Sequence, residues 1–349
     1  MNTHRSLAGL ALAATLIAGH SASAWDYEGH RTVNLLALAS LPTNFPAFVF
    51  KPEARERIAF LSGEPDRWRN TPDLPFRHVN NPDHYFDMED LVWLELKPAD
   101  VPHFRNLFVS HAMTMRQRHP DRFPPINAAR NADHSQEIPG TLPWAITEQY
   151  AKLKSAFSYL KTYEQHGGTP EEIANAQQNI VYLMGCIGHF CGDASQPLHT
   201  TRNYDGWVLD NPKGYTNRAR FHSWIDGGYL GKVGIDQASL RASLRPAKLV
   251  WLDARADKRA DIFPEVMKFI EDQFKQVEPL YQMEKDGQLS GNGERGLEGN
   301  PFLHKQLLAG AQLLGDLWFT AWQEAPRDTF LQNYLASRQL KAAKPAAQK

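Results

Sequence analysis

Thr169-Pro170-Glu171-Glu172, running without a break to His189-Phe190-Cys191-Gly192-Asp193-Ala194-Ser195-Gln196-Pro197-Leu198-His199, decides the fold class. Thr169 is a good helix cap, Pro170 suits the first turn, and Glu171 and Glu172 favour the positive end of a helix dipole. Apolar residues then recur at three- and four-residue spacing as far as Asp193, and Pro197 ends the run. The same spacing appears over 29–39, 142–165, 262–281 and 302–324, and no hairpin signal has comparable strength. The expected class is therefore all-α with long loops, built as a single helical domain over 25–340 with an insertion at about 91–140. Stretches 120–143, 203–217 and 285–301 are rich in Pro, Gly, Asn and Asp and should be irregular, the first as a lid or an inserted surface loop. The low-complexity tail 341–349 should be disordered.

Residues 1–24 read as a signal peptide. Arg5 precedes an apolar run over 7–18, and Ala22-Ser23-Ala24 has the small-x-small form of a cleavage site. The run stops at Gly19-His20, short of the roughly 20 residues that cross a bilayer, and no later segment is apolar for long enough. Cleavage would make Trp25 the first residue of a protein exported to the periplasm or the medium. With 38 Lys and Arg against 39 Asp and Glu, no global charge marks a nucleic-acid or membrane-surface binder, so any anion must be attracted locally. Cys186 and Cys191 stand about 140° apart round one helix, which disfavours a disulfide between them.

His189 and Asp193 share a helix face and can reach one cation, while Pro197 lets His199 turn back towards them. His222 and Asp226 repeat the four-residue spacing. His30 follows five residues after Trp25, Asp66 follows a Gly-Glu-Pro turn, and His84 lies three before Asp87. Any one such pair is more often a hydrogen-bonded structural pair. Together, imidazoles and carboxylates in this number suit zinc.

Trp25-x4-His30, Asp66, His84-x2-Asp87, His189-x3-Asp193-x5-His199 and His222-x3-Asp226 resemble the trinuclear-zinc family of secreted single-strand-specific nucleases. That family is the nuclease branch of a superfamily that also holds the bacterial zinc-dependent phospholipases C. Leu308-Ala-Gly-Ala-Gln-Leu-Leu-Gly-Asp-Leu317 resembles its last helix, so the likeness runs over most of 25–322. The resemblance implies one zinc held by Asp66, His84, His189 and Asp193, and a second held by His199, His222 and Asp226. A third would take the amine and carbonyl of Trp25 with His30, and Asp193 would bridge it to the first. Asp87 stands where the family orients the attacking water, and Arg69 near a basic residue that touches phosphate.

Arg220 departs from the family, in which an Asn commonly lies two before the fifth His. It would either bind phosphate bidentately or form a surface salt bridge. Tyr204, Trp207 and Tyr215 fall in the loop between two ligands, where aromatics either stack unpaired bases or pin the loop to the core. Trp68 and Trp93 read as packing residues.

Three divalent ions outweigh the charges of Asp66, Asp193 and Asp226, leaving a positive pocket that draws phosphate. Zinc lowers the pKa of water bound to it to about 7. The implied function is an exported zinc phosphodiesterase or endonuclease that hydrolyses single-stranded RNA and DNA by attack of zinc-bound hydroxide, extending to 3′-nucleotides. The rival enzyme acts on phospholipid headgroups. The rival without catalysis is a secreted zinc-binding protein. No obligate protein partner is evident.

Overall fold

The computed structural model describes residues 25–250 and 261–343. The chain is all-α. Among the described residues nine helices have nine or more residues: α1 (Tyr27–Ser40), α2 (Pro52–Leu61), α3 (Arg105–Arg118), α4 (Leu142–His166), α5 (Pro170–Ser195), α6 (Phe263–Phe274), α7 (Val277–Lys285), α8 (Asn300–Gln323) and α9 (Thr329–Ala343). The pairings outside helices that resemble a sheet are isolated bridges, Phe86 with Gly140 and Tyr204 with Gly206.

Helix α5 begins as its sequence requires. The Thr169 hydroxyl accepts from the Glu172 N–H, and the Glu172 carboxylate accepts from the Thr169 N–H, closing a capping box. Its second half is buried continuously from Met184 and on through Thr200, because α1, α2, α4, α6 and α8 all pack against it. A helix covered on every side is central, and polar groups in its covered part need partners. Close approach of α1 needs Gly188 and Gly192: a Cβ on the first would lie 1.7 Å from Asn34 Oδ1, and on the second 2.6 Å from His30 Nδ1. One contiguous hydrophobic cluster extends from Trp25 to Ala321 and includes residues of every helix from α1 to α8.

Several boundaries differ from expectation. The periodic stretch 262–281 is broken at Lys275 and Gln276 into α6 and α7. The irregular stretch 120–143 ends earlier, since Leu142 and Pro143 form the first turn of α4, and it contains three short 3-10 turns. The stretch 285–301 holds a helix at Gly293–Leu297, and α8 already starts at Asn300. Helix α9 had no strong sequence signal, and Lys341–Ala343 of the expected disordered tail form its last turn. The rest of that tail and residues 1–24 lie outside the described residues. No helix among the described residues is long and apolar enough to cross a membrane. Trp68 and Trp93 are half-buried and pack against the core.

Candidate metal centre

The covered end of α5 gathers the first group. His189 Nε2 lies 3.0 Å from His84 Nδ1 and 3.3 Å from Asp193 Oδ2, and His84 Nδ1 lies 2.9 Å from the same oxygen. Asp66 Oδ1 completes the set at 3.8 Å from His189 Nε2 and 3.9 Å from His84 Nδ1. A tetrahedron with zinc bonds of about 2.0–2.1 Å has donor–donor edges of about 3.3 Å, within the span of these separations. Asp66 sits on a short helix, Glu64–Arg69, whose Arg69 Nε lies 2.9 Å from Asp66 Oδ1.

The second group is His199, His222 and Asp226. The Nε2 atoms of the two imidazoles are 2.9 Å apart, and His222 Nε2 lies 2.9 Å from Asp226 Oδ2. His222 lies in one helical turn, Phe221–Ser223, that passes directly into a π-helical turn, Trp224–Tyr229, carrying Asp226. Single π-turns of this kind interrupt regular geometry and concentrate at functional sites.

The third group forms where α1 meets α5. His30 stacks on His189 with ring centroids 4.0 Å apart, and its Nε2 lies 3.4 Å from Asp193 Oδ1. His30, Asp66 and His189 also present ligand atoms within 4.8 Å of one another, so His30 can share either carboxylate. Trp25 is fully buried beside this group, with its indole N–H donating to Ser195 Oγ at 3.3 Å. Its amine adjoins residue 24, outside the described residues.

The residues fit divalent cations in three physical respects. His30 Nε2, Asp193 Oδ1 and Asp226 Oδ2 face these groups and are buried without hydrogen bonds, a costly state that bound cations would relieve. Three of the histidines are held neutral, as ligands must be, whereas burial lowers His189 but Asp193 and Asp66 outweigh it and raise it above its ordinary value. Burial, with His189 beside it, pushes His30 far below its ordinary value, burial and then Arg69 bring His84 down to about 4, and burial brings His199 to about 4. Burial opposes the ionisation of Asp193, yet His189 and His199 outweigh it and keep the carboxyl well below the usual range. His189 Nδ1 donates to the Ser62 carbonyl at 2.7 Å and His199 Nδ1 to the His84 carbonyl, which leaves each Nε2 with its lone pair turned into the centre.

A cavity of about 400 Å³ opens on the second group, with Arg69, Asp87, His199, Arg202, Tyr204 and His222 in its lining. Asp87 is half-buried. Burial, then Asp90 and Glu89, raises its carboxyl well above the ordinary value against the pull of Arg202. Tyr204 lies at the rim with its ring edge-on to His222, centroids 5.8 Å apart.

Two expected contacts are elsewhere. Trp207 packs on Tyr215 and Tyr281, with centroids 4.7 and 5.0 Å away, and donates to the Asp210 carbonyl, so it pins its loop instead of facing the cavity. Tyr215 is buried and serves the same anchor. Arg220 has a left-handed backbone, φ 70°, that turns it into a separate cavity of about 780 Å³ with Arg218, Trp224 and Lys232. It forms no salt bridge among the described residues.

Gln196 holds one of the candidate ligands, and spacing did not reveal it. It is fully buried, its amide donates to Asp226 Oδ1 at 2.5 Å, and its carbonyl oxygen accepts from the Leu198 N–H at 3.0 Å. One oxygen of Asp226 is thereby committed and the other, Oδ2, is aimed at His222. Gln196→Leu is expected to lower cation affinity at the His199, His222 and Asp226 group by about 10- to 100-fold, the usual effect of losing an outer partner. Competition against a chelator measures it, and an unchanged affinity would remove Gln196 from this role.

No protein-family model matches the chain, and no curated protein matches it.

Proposed function

We propose that the chain is an exported zinc phosphodiesterase of the single-strand nuclease type, with three zinc ions per chain and a strand of RNA or DNA, or a 3′-nucleotide, as substrate. The observation that carries this reading is that two imidazole and carboxylate groups are joined through Asp193 and Asp66, and a third, His199, His222 and Asp226, opens on a cavity that also holds Asp87 and Arg69. Asp66, His84, His189 and Asp193 would hold the first ion, His199, His222 and Asp226 the second, and His30 with Trp25 and Asp193 the third. Bound zinc supplies Lewis-acid polarisation and makes water acidic enough to attack near neutral pH.

The chain's own groups then have distinct tasks. Asp87 orients the attacking water and accepts its proton, a task suited to a carboxyl whose proton affinity burial has raised. Arg69, tied to Asp66, turns a fixed positive charge towards the cavity and draws a phosphate oxygen. The water oxygen bonds to phosphorus, the bond from phosphorus to the leaving sugar oxygen breaks, and that oxygen takes up a proton. Tyr204 at the rim offers a face for an unpaired base.

Metal analysis with parallel assays on single-stranded DNA, RNA, a 3′-nucleotide and phosphatidylcholine tests the reading. Release of nucleotides with zinc bound is the expected result. Hydrolysis of the phospholipid alone would replace it with the headgroup reading, and three metals with no turnover would leave a zinc-binding protein.

The proposed cleavage before Trp25 has its own test. Trp25 is buried against α5 beside the third group, and only cleavage before it would free its amine to act as a ligand there. A form retaining one extra residue before Trp25 is expected to lose the third zinc and keep the other two. Equal metal content and equal rate in the extended form would count against an N-terminal ligand.

A further inference from the structure

The stretch 131–141 is bound to the segment that carries His84 and Asp87. The Asp87 N–H donates to the Pro139 carbonyl at 2.7 Å, the Thr141 N–H to the Pro82 carbonyl at 2.7 Å, and the Leu142 N–H to the Tyr85 carbonyl at 3.2 Å. Side chains add to this. The Tyr85 hydroxyl donates to the Ser135 carbonyl at 3.0 Å, Asn81 Nδ2 to Ser135 Oγ at 2.8 Å, and His78 Nδ1 to the Asp133 carbonyl at 2.8 Å. From the other side Arg116 of α3 donates to the Glu137 carbonyl at 3.1 Å. With each such bond contributing about 1 kcal/mol net, the stretch is a fixed wall and not a lid that swings.

This wall bounds the cavity. Ser135, Gln136 and Ile138 of the wall stand in its lining together with Asp87 and His199, and Tyr204 and Val208 line it from the loop between the ligands. Its volume of about 400 Å³ lies at the lower end of the roughly 300–1,000 Å³ typical of small-molecule sites. Cutting inside a strand requires an open groove, because the chain continues on both sides of the reacting phosphate. A cavity of about 400 Å³ with one pinned side matches about one nucleotide unit in size.

We propose that the wall makes the site a blind pocket selective for the end of a strand, so that the protein removes terminal nucleotides or terminal phosphate and excludes internal bonds. The proposal rests on the phosphodiesterase reading above and specifies its mode. Selectivity here comes from a steric obstacle to the wrong substrate.

The test compares the zinc-loaded protein on circular single-stranded DNA and on the same DNA made linear. The circle is expected to be cut at least about tenfold more slowly, a steric discrimination of about 1.4 kcal/mol or more. Equal rates on the two overturn the wall's role while leaving the hydrolytic reading intact, and cutting of neither overturns the hydrolytic reading itself. In Gln136→Ala/Ile138→Ala, checked for an unchanged thermal midpoint, the two rates should converge to within about threefold. A folded variant that keeps the wild-type ratio also overturns the proposal.

Discussion

Asp193→Asn is expected to remove two of the three proposed cations and to lower the proposed phosphodiester turnover by more than about a hundredfold. Asp193 is fully buried, and its two oxygens face different groups: Oδ1 lies 3.4 Å from His30 Nε2, while Oδ2 lies 2.9 Å from His84 and 3.3 Å from His189. A carboxylate there would serve both proposed cation positions and supply charge that offsets them. The amide keeps the volume, so packing against Gly192 and the α1 face is preserved. It removes that charge and places N–H donors where lone pairs are needed. The fold should survive without metal, because an Asn side chain can hydrogen-bond to neutral imidazoles, and burial already keeps His30 and His84 neutral near pH 7. Metal content per chain, with a thermal midpoint in excess chelator as the folding control, decides the matter. Full metal occupancy in the folded variant would falsify the bridging assignment.

The same residue marks how far the sequence could be read. The pairs His189 with Asp193 and His222 with Asp226 are legible because a four-residue spacing places both members on one helix face, whatever the rest of the chain does. The association of the first pair with Asp66, His84 and His30, and of the second with His199, is a tertiary fact. No periodicity links residues so far apart, and the expectation rested on resemblance alone. Gln196 stands within the most informative stretch, yet an amide has no spacing rule that separates a positioning role from an ordinary helix end. Trp207 and Tyr204 share a loop and a composition. What sends one to the core and the other to the rim is the presence of Tyr281 on α7, which donates to the Asn203 carbonyl and receives the Trp207 ring.

Helix boundaries follow the same division. Helices α1, α4, α5 and α8 carry apolar residues that are buried and therefore periodic, so pattern reveals them. Helix α9 has Phe330, Tyr334 and Leu340 exposed, and Leu335 is the large apolar side chain that it buries fully. Its pattern was too weak to stand out from the polar tail. The break between α6 and α7 was hidden for the opposite reason: neither Lys275 nor Gln276 is a helix breaker, and apolar periodicity continues across them. The wall at 131–141 depends on backbone carbonyls of Pro82, Tyr85 and Pro139, groups that every sequence possesses. Composition could mark it as irregular but could not say that it is fixed.

Asp87→Asn is expected to keep the metals and the fold while lowering kcat by about a hundredfold or more, the range for loss of a positioned general base. The residue stands in the cavity with His199 and His222, three positions after His84, but makes none of the close contacts that tie the metal groups together. Its surroundings differ from theirs in kind. Glu89 and Asp90 flank it, and both are committed elsewhere: Glu89 accepts from Thr201 and from the Arg202 N–H, and Asp90 pairs with Arg202 at 2.9 Å. Asp87 thus remains the carboxyl of that acidic run turned to the cavity, with its proton affinity raised by burial and by those two neighbours. The amide substitution relieves this repulsion, so stability should hold or rise slightly, while the group loses its capacity to take a proton. The signature is a fall in kcat with KM and zinc content near the wild-type values, since binding and metal ligation are left in place. A variant that retained most of the wild-type kcat would transfer the proton-accepting role to another group of the cavity. A variant that lost zinc would move Asp87 into the ligand set.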